Sequence, residues 1–390
     1  MRRFVAVAAG CAMALFFSAM PVASVPSTRL ESREALGEAL FFDPNLSKNR
    51  TQACAICHSP ATGFADARQT AAGRAVSLGD DGHSLGDRNA PTAAYARFSP
   101  PFHRNQQGGY VGGLFLDGRA PTLEDQAGGP PLNPLEMAMP DKAAVVARLK
   151  ENAAYDEAFA RLYAADVLAD AERGYAAMTA SIAAFERTPL FASFDSKYDR
   201  WLRGEDTLTE QEELGRVLFF SNQFANCSQC HLLERGRVRS DETFSNFEYH
   251  NIGVPVNRAV RAVNGLAADH VDRGLAENPA VADPQVAAGK FKVPSLRNVA
   301  VTGPYMHNGV FADLRTVVLF YNKYNTRNPE RLINPETGKP FDPPEVEANI
   351  SLEKLEVGPA LDDKRIDALV AFLKTLTDRR YEASLAHLAH

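Results

Sequence analysis

The sequence is poor in cysteine and tryptophan, has no basic surplus and contains few long apolar runs. Among its 390 residues are five cysteines and one tryptophan, Trp201. The formal net charge is −6, which argues against nucleic acid as a partner, because nucleic-acid-binding surfaces are basic. Beyond the N-terminus no apolar run reaches the roughly 20 residues that cross a bilayer. The chain is therefore predicted not to span a membrane, and its length suits two domains.

The N-terminus has the pattern of an export signal. Two arginines precede an apolar stretch from Phe4 to about Phe17, and small residues lie just before Val25. We predict a signal peptide at residues 1–24 and a mature chain in the periplasm. The alternative is an uncleaved anchor, because the apolar stretch continues weakly to Val25.

Four cysteines remain after the signal, and all of them lie in two Cys-x-x-Cys-His motifs. The motifs are Cys54-Ala55-Ile56-Cys57-His58 and Cys227-Ser228-Gln229-Cys230-His231. This motif attaches c-type haem: two thiols on one tight turn reach the two vinyl groups of a porphyrin, and the histidine lies under the iron as its proximal ligand. A redox dithiol would need a βαβ setting, and a zinc site would need the two pairs to converge. We predict two covalently bound haem c groups.

The two halves of the chain also repeat around these motifs. The paired segments are Leu36–Phe42 with Leu214–Phe220, Pro91–Thr92 with Pro294–Ser295, Pro101–His103 with Pro304–His307, and Asp117–Gly118 with Asn308–Gly309. One haem motif per repeat indicates duplication. The predicted domains are residues 25–200 and 201–390.

Strand patterns are sparse and helical periodicity recurs, which predicts a mainly α fold of two cytochrome c-like domains with long loops. The helical patterns cover Asp141–Leu149, Ala171–Arg187, Leu314–Asn325 and Ile366–Leu376. On the third of these, Leu314, Val317, Val318 and Tyr321 fall on one face. A tyrosine on such a face is usually a core residue.

The chemistry of each haem depends on the position opposite its proximal histidine: methionine there raises the potential, and an open position binds peroxide or oxygen. In the first half Glu136 lies in an apolar loop rich in proline. Above an open haem its carboxylate would move a proton between the oxygens of bound peroxide; otherwise it is an ordinary exposed glutamate. His83 and His103 are further distal candidates, or simply loop histidines.

These residues resemble the bacterial dihaem cytochrome c peroxidase superfamily over nearly the whole mature chain, and most closely its methylamine utilisation branch. The superfamily elements are the two haem motifs, Gly86–Pro91, Asp117–Arg119, Val293–Ala300 and Thr302–Gly309. The closer similarity to the branch lies in Leu132–Pro140, Phe244–Gly253 and Tyr321. Ordinary peroxidases of the superfamily have methionine at the place of Tyr321.

The resemblance implies two unlike haems. The N-terminal domain would hold a five-coordinate, high-spin haem on His58, with Glu136 and Pro130 in its distal pocket. The C-terminal domain would hold a six-coordinate haem ligated by His231 and Tyr321.

The resemblance also implies a calcium ion between the haems, held by Asn89 and the backbone carbonyls of Thr302 and Pro304. All three are oxygen ligands of the kind that calcium prefers.

The activity that the resemblance implies is the completion of tryptophan tryptophylquinone in precursor methylamine dehydrogenase. Hydrogen peroxide, or oxygen plus electrons from a small periplasmic donor, would oxidise both haems to a high-valent state that stores two equivalents. That state would take electrons from two tryptophans of the small subunit of the precursor.

Two positions depart from the branch. Leu116 stands where the branch has a tryptophan between the haems, and Ala225 stands where it has one near the surface. Trp201 matches neither place. Phe115, Phe224, Tyr305 or direct tunnelling remain as routes for electrons.

Two other functions stay open at this point. One is a peroxidase that reduces hydrogen peroxide with electrons from a small redox protein, which requires an easily reduced second haem. The other is a dihaem electron carrier without chemistry of its own.

Overall fold

The computed structural model describes residues 30–234 and 238–386. The predicted signal peptide lies outside these residues. In the described part no helix is both long and apolar enough to cross a membrane.

The described residues are mainly helical, with long connecting loops, as predicted. The α-helices are α1 Arg33–Phe41, α2 Cys54–Cys57, α3 Leu123–Ala127, α4 Lys142–Lys150, α5 Ala153–Leu162, α6 Ala171–Glu186, α7 Lys197–Leu202, α8 Glu210–Phe220, α9 Arg258–Arg261, α10 Pro284–Ala287, α11 Leu314–Asn322, α12 Leu352–Leu355, α13 Asp363–Lys374 and α14 Glu382–Leu385. Short 3₁₀ turns include Pro130–Leu132 and Cys227–Gln229.

Strands are short and form three antiparallel pairs within the described ranges. The pairs are β1 His103–Arg104 with β2 Tyr110–Val111, β3 Tyr249–His250 with β4 Phe291–Lys292, and β5 Ile333–Asn334 with β6 Lys339–Pro340. In the second pair Tyr249 lies opposite Lys292 and His250 lies opposite Phe291. This pair joins the loop after the second haem motif to the loop before α11.

Each half is built on one close helix pair, α1 with α6 and α8 with α13. A Cβ placed on Gly37 would lie 1.9 Å from the carbonyl oxygen of Ser181, and one on Gly215 would lie 1.9 Å from that of Ala368. Gly37 and Gly215 occupy equivalent positions in the repeated segments Leu36–Phe42 and Leu214–Phe220. In both halves the glycine therefore allows the backbones of the two paired helices to come into contact.

Two apolar clusters surround these helix pairs. The first takes its buried residues from Leu36 to Ala192, and the second from Tyr198 to Leu376. The predicted division between residues 200 and 201 stays a prediction.

Candidate functional site

The first haem motif forms a single helical turn, α2, in which Cys54 and Cys57 are free thiols. His58 follows, and its Nδ1 lies 3.2 Å from the carbonyl oxygen of Phe64. Because a carbonyl oxygen only accepts, Nδ1 carries the proton and Nε2 keeps the lone pair that binds iron. Burial lowers the pKa of His58, which keeps its imidazole neutral.

The second motif repeats this arrangement. Nδ1 of His231 donates to the carbonyl oxygen of Phe244 at 2.9 Å, and burial lowers the pKa of His231 to about 4. The thiols of Cys227 and Cys230 are free. Both motifs thus present two thiols and one neutral imidazole, the donor set of covalent haem.

The two phenylalanines that accept these bonds share an unusual backbone. Phe64 has φ 59° and Phe244 has φ 56°, in the left-handed region that bulky residues avoid. Such a conformation costs on the order of 1–3 kcal/mol. Its presence at the same carbonyl in both halves indicates that holding the proximal histidine offsets this cost.

One cavity of 390 Å³ contains the second motif. Its volume falls within the roughly 300–1,000 Å³ usual for ligand pockets. The wall includes the thiols of the motif, His231 and Tyr321, and is completed by apolar side chains, among them Phe219, Leu296, Val299, Leu369 and Leu373. Apolar walls around two thiols and an imidazole fit a porphyrin.

Tyr321 lies in the last turn of α11 and lines this cavity together with Leu314, Val317 and Val318. The apolar face predicted from the sequence is thus a cavity wall. The end of the helix is fixed by Asn322, whose Nδ2 donates to the Leu361 carbonyl at 3.2 Å and whose Oδ1 accepts from the Leu361 N–H at 2.8 Å.

Tyr321 lines the same cavity as Cys227, Cys230 and His231. Burial is the main cause that raises the pKa of its hydroxyl. Among the described residues none forms a hydrogen bond with this hydroxyl, so its oxygen is free to act as a ligand.

Glu136 lines a second cavity, of 380 Å³, with Phe115, Arg119 and Asn133. Asn133 Nδ2 donates to Glu136 Oε1 at 2.9 Å. Burial raises the pKa of Glu136, against the charge of Arg119 and the bond from Asn133. A carboxyl with a raised pKa is suited to carry a proton near neutral pH.

Burial is the main cause that raises the pKa of Cys54 and Cys57, and the charge of Glu136 adds a smaller contribution at both thiols. This contribution relates the second cavity to the first motif. Pro130 lies in the adjacent 3₁₀ turn, where its carbonyl accepts from the Asn133 and Met137 amides, both at 3.2 Å. Pro130 therefore closes the loop that carries Glu136.

The two other distal candidates lie on the surface. The side chain of His83 is 79% exposed and lies 3.2 Å from Asp81. His103 is exposed on β1, and its Nδ1 lies 2.7 Å from the Pro101 carbonyl. Neither histidine lines either of the two cavities.

The three residues expected to bind calcium, Asn89, Thr302 and Pro304, all line the 390 Å³ cavity that contains the second motif, hereafter the main cavity. Asn89 Nδ2 donates to the Ala75 carbonyl at 2.9 Å. This bond uses Nδ2, and no hydrogen bond from another described residue reaches Oδ1.

The residues considered for electron transfer differ in which cavity they line. Leu116, Phe224, Ala225 and Tyr305 line the main cavity, whereas Phe115 lines both cavities. Trp201, which is half-buried on α7 and stacks on Tyr198 at 5.5 Å, lines neither.

Sequence reasoning missed two residues of these cavities. Asn133 was visible in the proline-rich loop three residues before Glu136, a spacing that allows a side-chain hydrogen bond. Lys292 also lines the main cavity. A lysine between Phe291 and Val293 forms no sequence pattern that would predict a position on a cavity wall.

Comparison with known proteins gives a consistent assignment. The family model described as "Di-haem cytochrome c peroxidase" matches residues 31–207. Methylamine utilization protein MauG of Paracoccus denitrificans is 58% identical over 351 residues, covering 90% of each chain. Cytochrome c peroxidase Ccp of Escherichia coli is 32% identical over 347 residues, which are 88% of this chain and 57% of that protein.

Solved structures agree. The diheme peroxidase BthA of Burkholderia thailandensis superposes with a TM-score of 0.78 at 34% identity, covering 90% of this chain and 86% of its own. A MauG-like protein associated with microbial copper homeostasis gives a TM-score of 0.64 at 32% identity, covering 94% and 96%. These matches confirm the mainly α, cytochrome c-like fold and the two haem c groups, and they set aside a carrier without chemistry. The chain belongs to the dihaem cytochrome c peroxidase family, as a MauG-type dihaem oxidoreductase.

Proposed function

We propose that this enzyme completes tryptophan tryptophylquinone in precursor methylamine dehydrogenase, with hydrogen peroxide, or oxygen plus electrons, as oxidant. The observation that carries the proposal is Tyr321 on the wall that also bears Cys227, Cys230 and His231. A phenolate ligand favours ferric iron, whereas methionine favours reduction. The identity of 58% to MauG supports the same substrate.

The haem groups supply peroxide binding and the storage of oxidising equivalents. The chain supplies the proton chemistry and the geometry. Glu136, held by Asn133, takes a proton from one peroxide oxygen and delivers it to the other. The carbonyls of Phe64 and Phe244 hold the two proximal imidazoles in one tautomer.

We propose further that Asn89 Oδ1 and the carbonyls of Thr302 and Pro304 bind calcium beside the second haem. Their neutral oxygens suit a hard cation. We also propose that a signal peptide at residues 1–24 directs the protein to the periplasm. In the branch that the chain resembles, haem c attachment and amine dehydrogenases belong to that compartment.

The protein substrate is folded, so electrons must leave its two tryptophans at a distance. Phe115 lines both cavities, and we place it on the path between the haems. A phenyl ring is not itself oxidised at these potentials, so it acts as packed material through which electrons tunnel.

A second candidate function is peroxide reduction with electrons from a small cytochrome or copper protein. The identity of 32% to the cytochrome c peroxidase of E. coli favours it. Both functions use Glu136 in the same way and differ in the electron source.

The test supplies the fully haem-loaded protein with hydrogen peroxide and either precursor methylamine dehydrogenase or a reduced small cytochrome. We expect quinone absorbance to grow in the precursor, and the cytochrome to be oxidised slowly. Tyr321→Met serves as the matched variant and should reverse this preference. Absence of quinone absorbance with the unmodified protein would contradict the proposal. Fast oxidation of the cytochrome would support the second function.

A further inference from the structure

Lys292 is a lysine deep in the protein, on the wall of the main cavity. It lies on β4, opposite Tyr249 of β3. Lys292 is half-buried and lines the main cavity. Burial lowers the pKa of Lys292 to about 7, against the charge of Asp117, as expected for an ammonium group without a direct counter-ion.

Among the residues that the structure describes, this group has one hydrogen-bond partner. Its Nζ donates to the carbonyl oxygen of Gly113, and its backbone N–H donates to that of Leu116 at 2.9 Å. An ammonium group has three N–H donors. Two of them are left for whatever fills the cavity.

No carboxylate among the described residues forms an ion pair with Lys292. The nearby acid, Asp117, is already committed: its Oδ2 accepts from Arg88 at 2.5 Å and from Arg119 at 2.7 Å. A buried cation without an anionic partner is costly. An anion in the cavity would offset this cost and keep Lys292 in its ammonium form.

Haem c brings such an anion. Besides the two vinyl carbons that bind cysteine, the porphyrin carries two propionate carboxylates at its edge. We infer that Lys292 Nζ pairs with a propionate of the haem attached at Cys227 and Cys230. This inference rests on haem attachment in the main cavity and is independent of the identity of the protein substrate.

The pairing makes Lys292 a positioning residue. Lys292 would connect the second haem to the segment from Gly113 to Leu116, because it bonds the carbonyls of both these residues. A positive charge at the propionate also stabilises the ferrous form relative to the ferric form, because it offsets the negative charge of the carboxylate.

The experiment is a spectroelectrochemical titration of both haems in the haem-loaded protein. In Lys292→Met we expect the second haem to favour the ferric form by about tenfold more than in the unmodified protein, which is about 59 mV for a one-electron couple. Lys292→Arg, which keeps the charge, should stay close to the unmodified value. Lys290→Met, two residues earlier in the chain, is the matched control and should shift nothing.

Lys354 provides a discriminating comparison, because it is another lysine on the wall of this cavity. A shift in Lys354→Met with none in Lys292→Met overturns the inference, as does an unchanged potential in Lys292→Met. If the Lys292→Met protein does not accumulate, infrared difference spectra between the ferric and ferrous states of the unmodified protein and of Lys292→Arg test the inference instead. The propionate band must then move between the unmodified protein and Lys292→Arg, and an unmoved band overturns the inference.

Discussion

In the proposed function, Glu136 and Tyr321 are the side chains that make the two haem sites different. Glu136 lies in a cavity whose charges act on the first motif, and Tyr321 lies on the wall that bears the second. The sequence could indicate both positions because each lies in a local pattern, a proline-rich loop and an amphipathic helix. It could not indicate Lys292, whose role depends on Gly113 and on a cavity formed by distant segments.

Replacement of Glu136 by glutamine tests the proton role. Glu136→Gln still accepts the bond from Asn133 but transfers no proton, so we expect the reaction with peroxide to slow by roughly 10²–10⁴-fold. Stopped-flow absorption of the haems measures it. Glu151→Gln, at an exposed position, should react at the unmodified rate, and a Glu136→Gln protein that does the same contradicts the proton role.

Replacement of Tyr321 by methionine tests the ligand. In Tyr321→Met we expect the second haem to have a higher midpoint potential, because thioether sulfur favours ferrous iron more than phenolate does. Redox titration followed by absorption measures the change. Tyr324→Phe is the control: the Tyr324 hydroxyl donates to the Ile252 carbonyl at 2.9 Å, so its loss should leave the potential unchanged.

Glu186 provides a pH-dependent prediction. It is buried at the end of α6, and burial raises its pKa from 4.5 to about 8. Below pH 4.5 the carboxyl is protonated in both states and contributes nothing; between pH 4.5 and about 8 only the unfolded chain loses the proton, so stability falls as pH rises.

Glu186→Gln removes this loss. We expect its melting temperature to exceed that of the unmodified protein at pH 8, and the gain to vanish near pH 4. Thermal unfolding followed by circular dichroism measures both. Glu157→Gln, exposed on α5, should show no such pH dependence, and an equal gain at both pH values would argue against a raised pKa for Glu186.

At the scale of elements, the helices followed from periodicity and the loops did not. The predicted helix at Asp141–Leu149 is α4, Lys142–Lys150, with Asp141 as its N-cap. By contrast, no local sequence pattern predicts positive φ at Phe64 or Phe244. The carbonyl of each contacts a proximal histidine, and this tertiary contact is not visible in the sequence. Local patterns therefore predict elements, while the loops around the haems depend on tertiary contacts.

The glycine contact between helices is open to a direct test. Gly37→Ala and Gly215→Ala each place a methyl group 1.9 Å from a carbonyl oxygen of the facing helix, which forces the helices apart. We expect each to destabilise its half by about 1–3 kcal/mol, measured by denaturant unfolding. Gly86→Ala is the control, because its Cβ would meet only the Arg88 carbonyl, at 3.9 Å.

At the scale of the whole molecule, the two halves are joined by a cluster of ion pairs around Arg88. Its guanidinium bonds Asp272 at 2.6 and 2.7 Å, Asp117 at 2.5 Å and Glu277 at 2.8 Å. The repeat predicted two halves, but it could not predict this junction. Arg88 and Asp272 are 184 residues apart, and no local pattern relates them.

Removing the guanidinium should loosen the junction. Arg88→Met leaves the carboxylate of Asp272, only 4% exposed, without its cation, and leaves that of Asp117, only 3% exposed, with Arg119 alone. We expect a loss of about 3–5 kcal/mol in the free energy of unfolding, measured with denaturant. Arg203→Met, which breaks an exposed pair with Glu205, should cost less than about 1 kcal/mol; equal losses would show that the junction adds nothing.

The carbonyls of Phe64 and Phe244 have a consequence for how such an enzyme evolves. The group that holds each proximal histidine belongs to the main chain, so no substitution of a side chain deletes it. Substitution at Phe64 or Phe244 therefore leaves a main-chain acceptor for each proximal histidine. In the proposed function, the two halves then differ on the opposite faces of the haems, at Glu136 in one half and Tyr321 in the other.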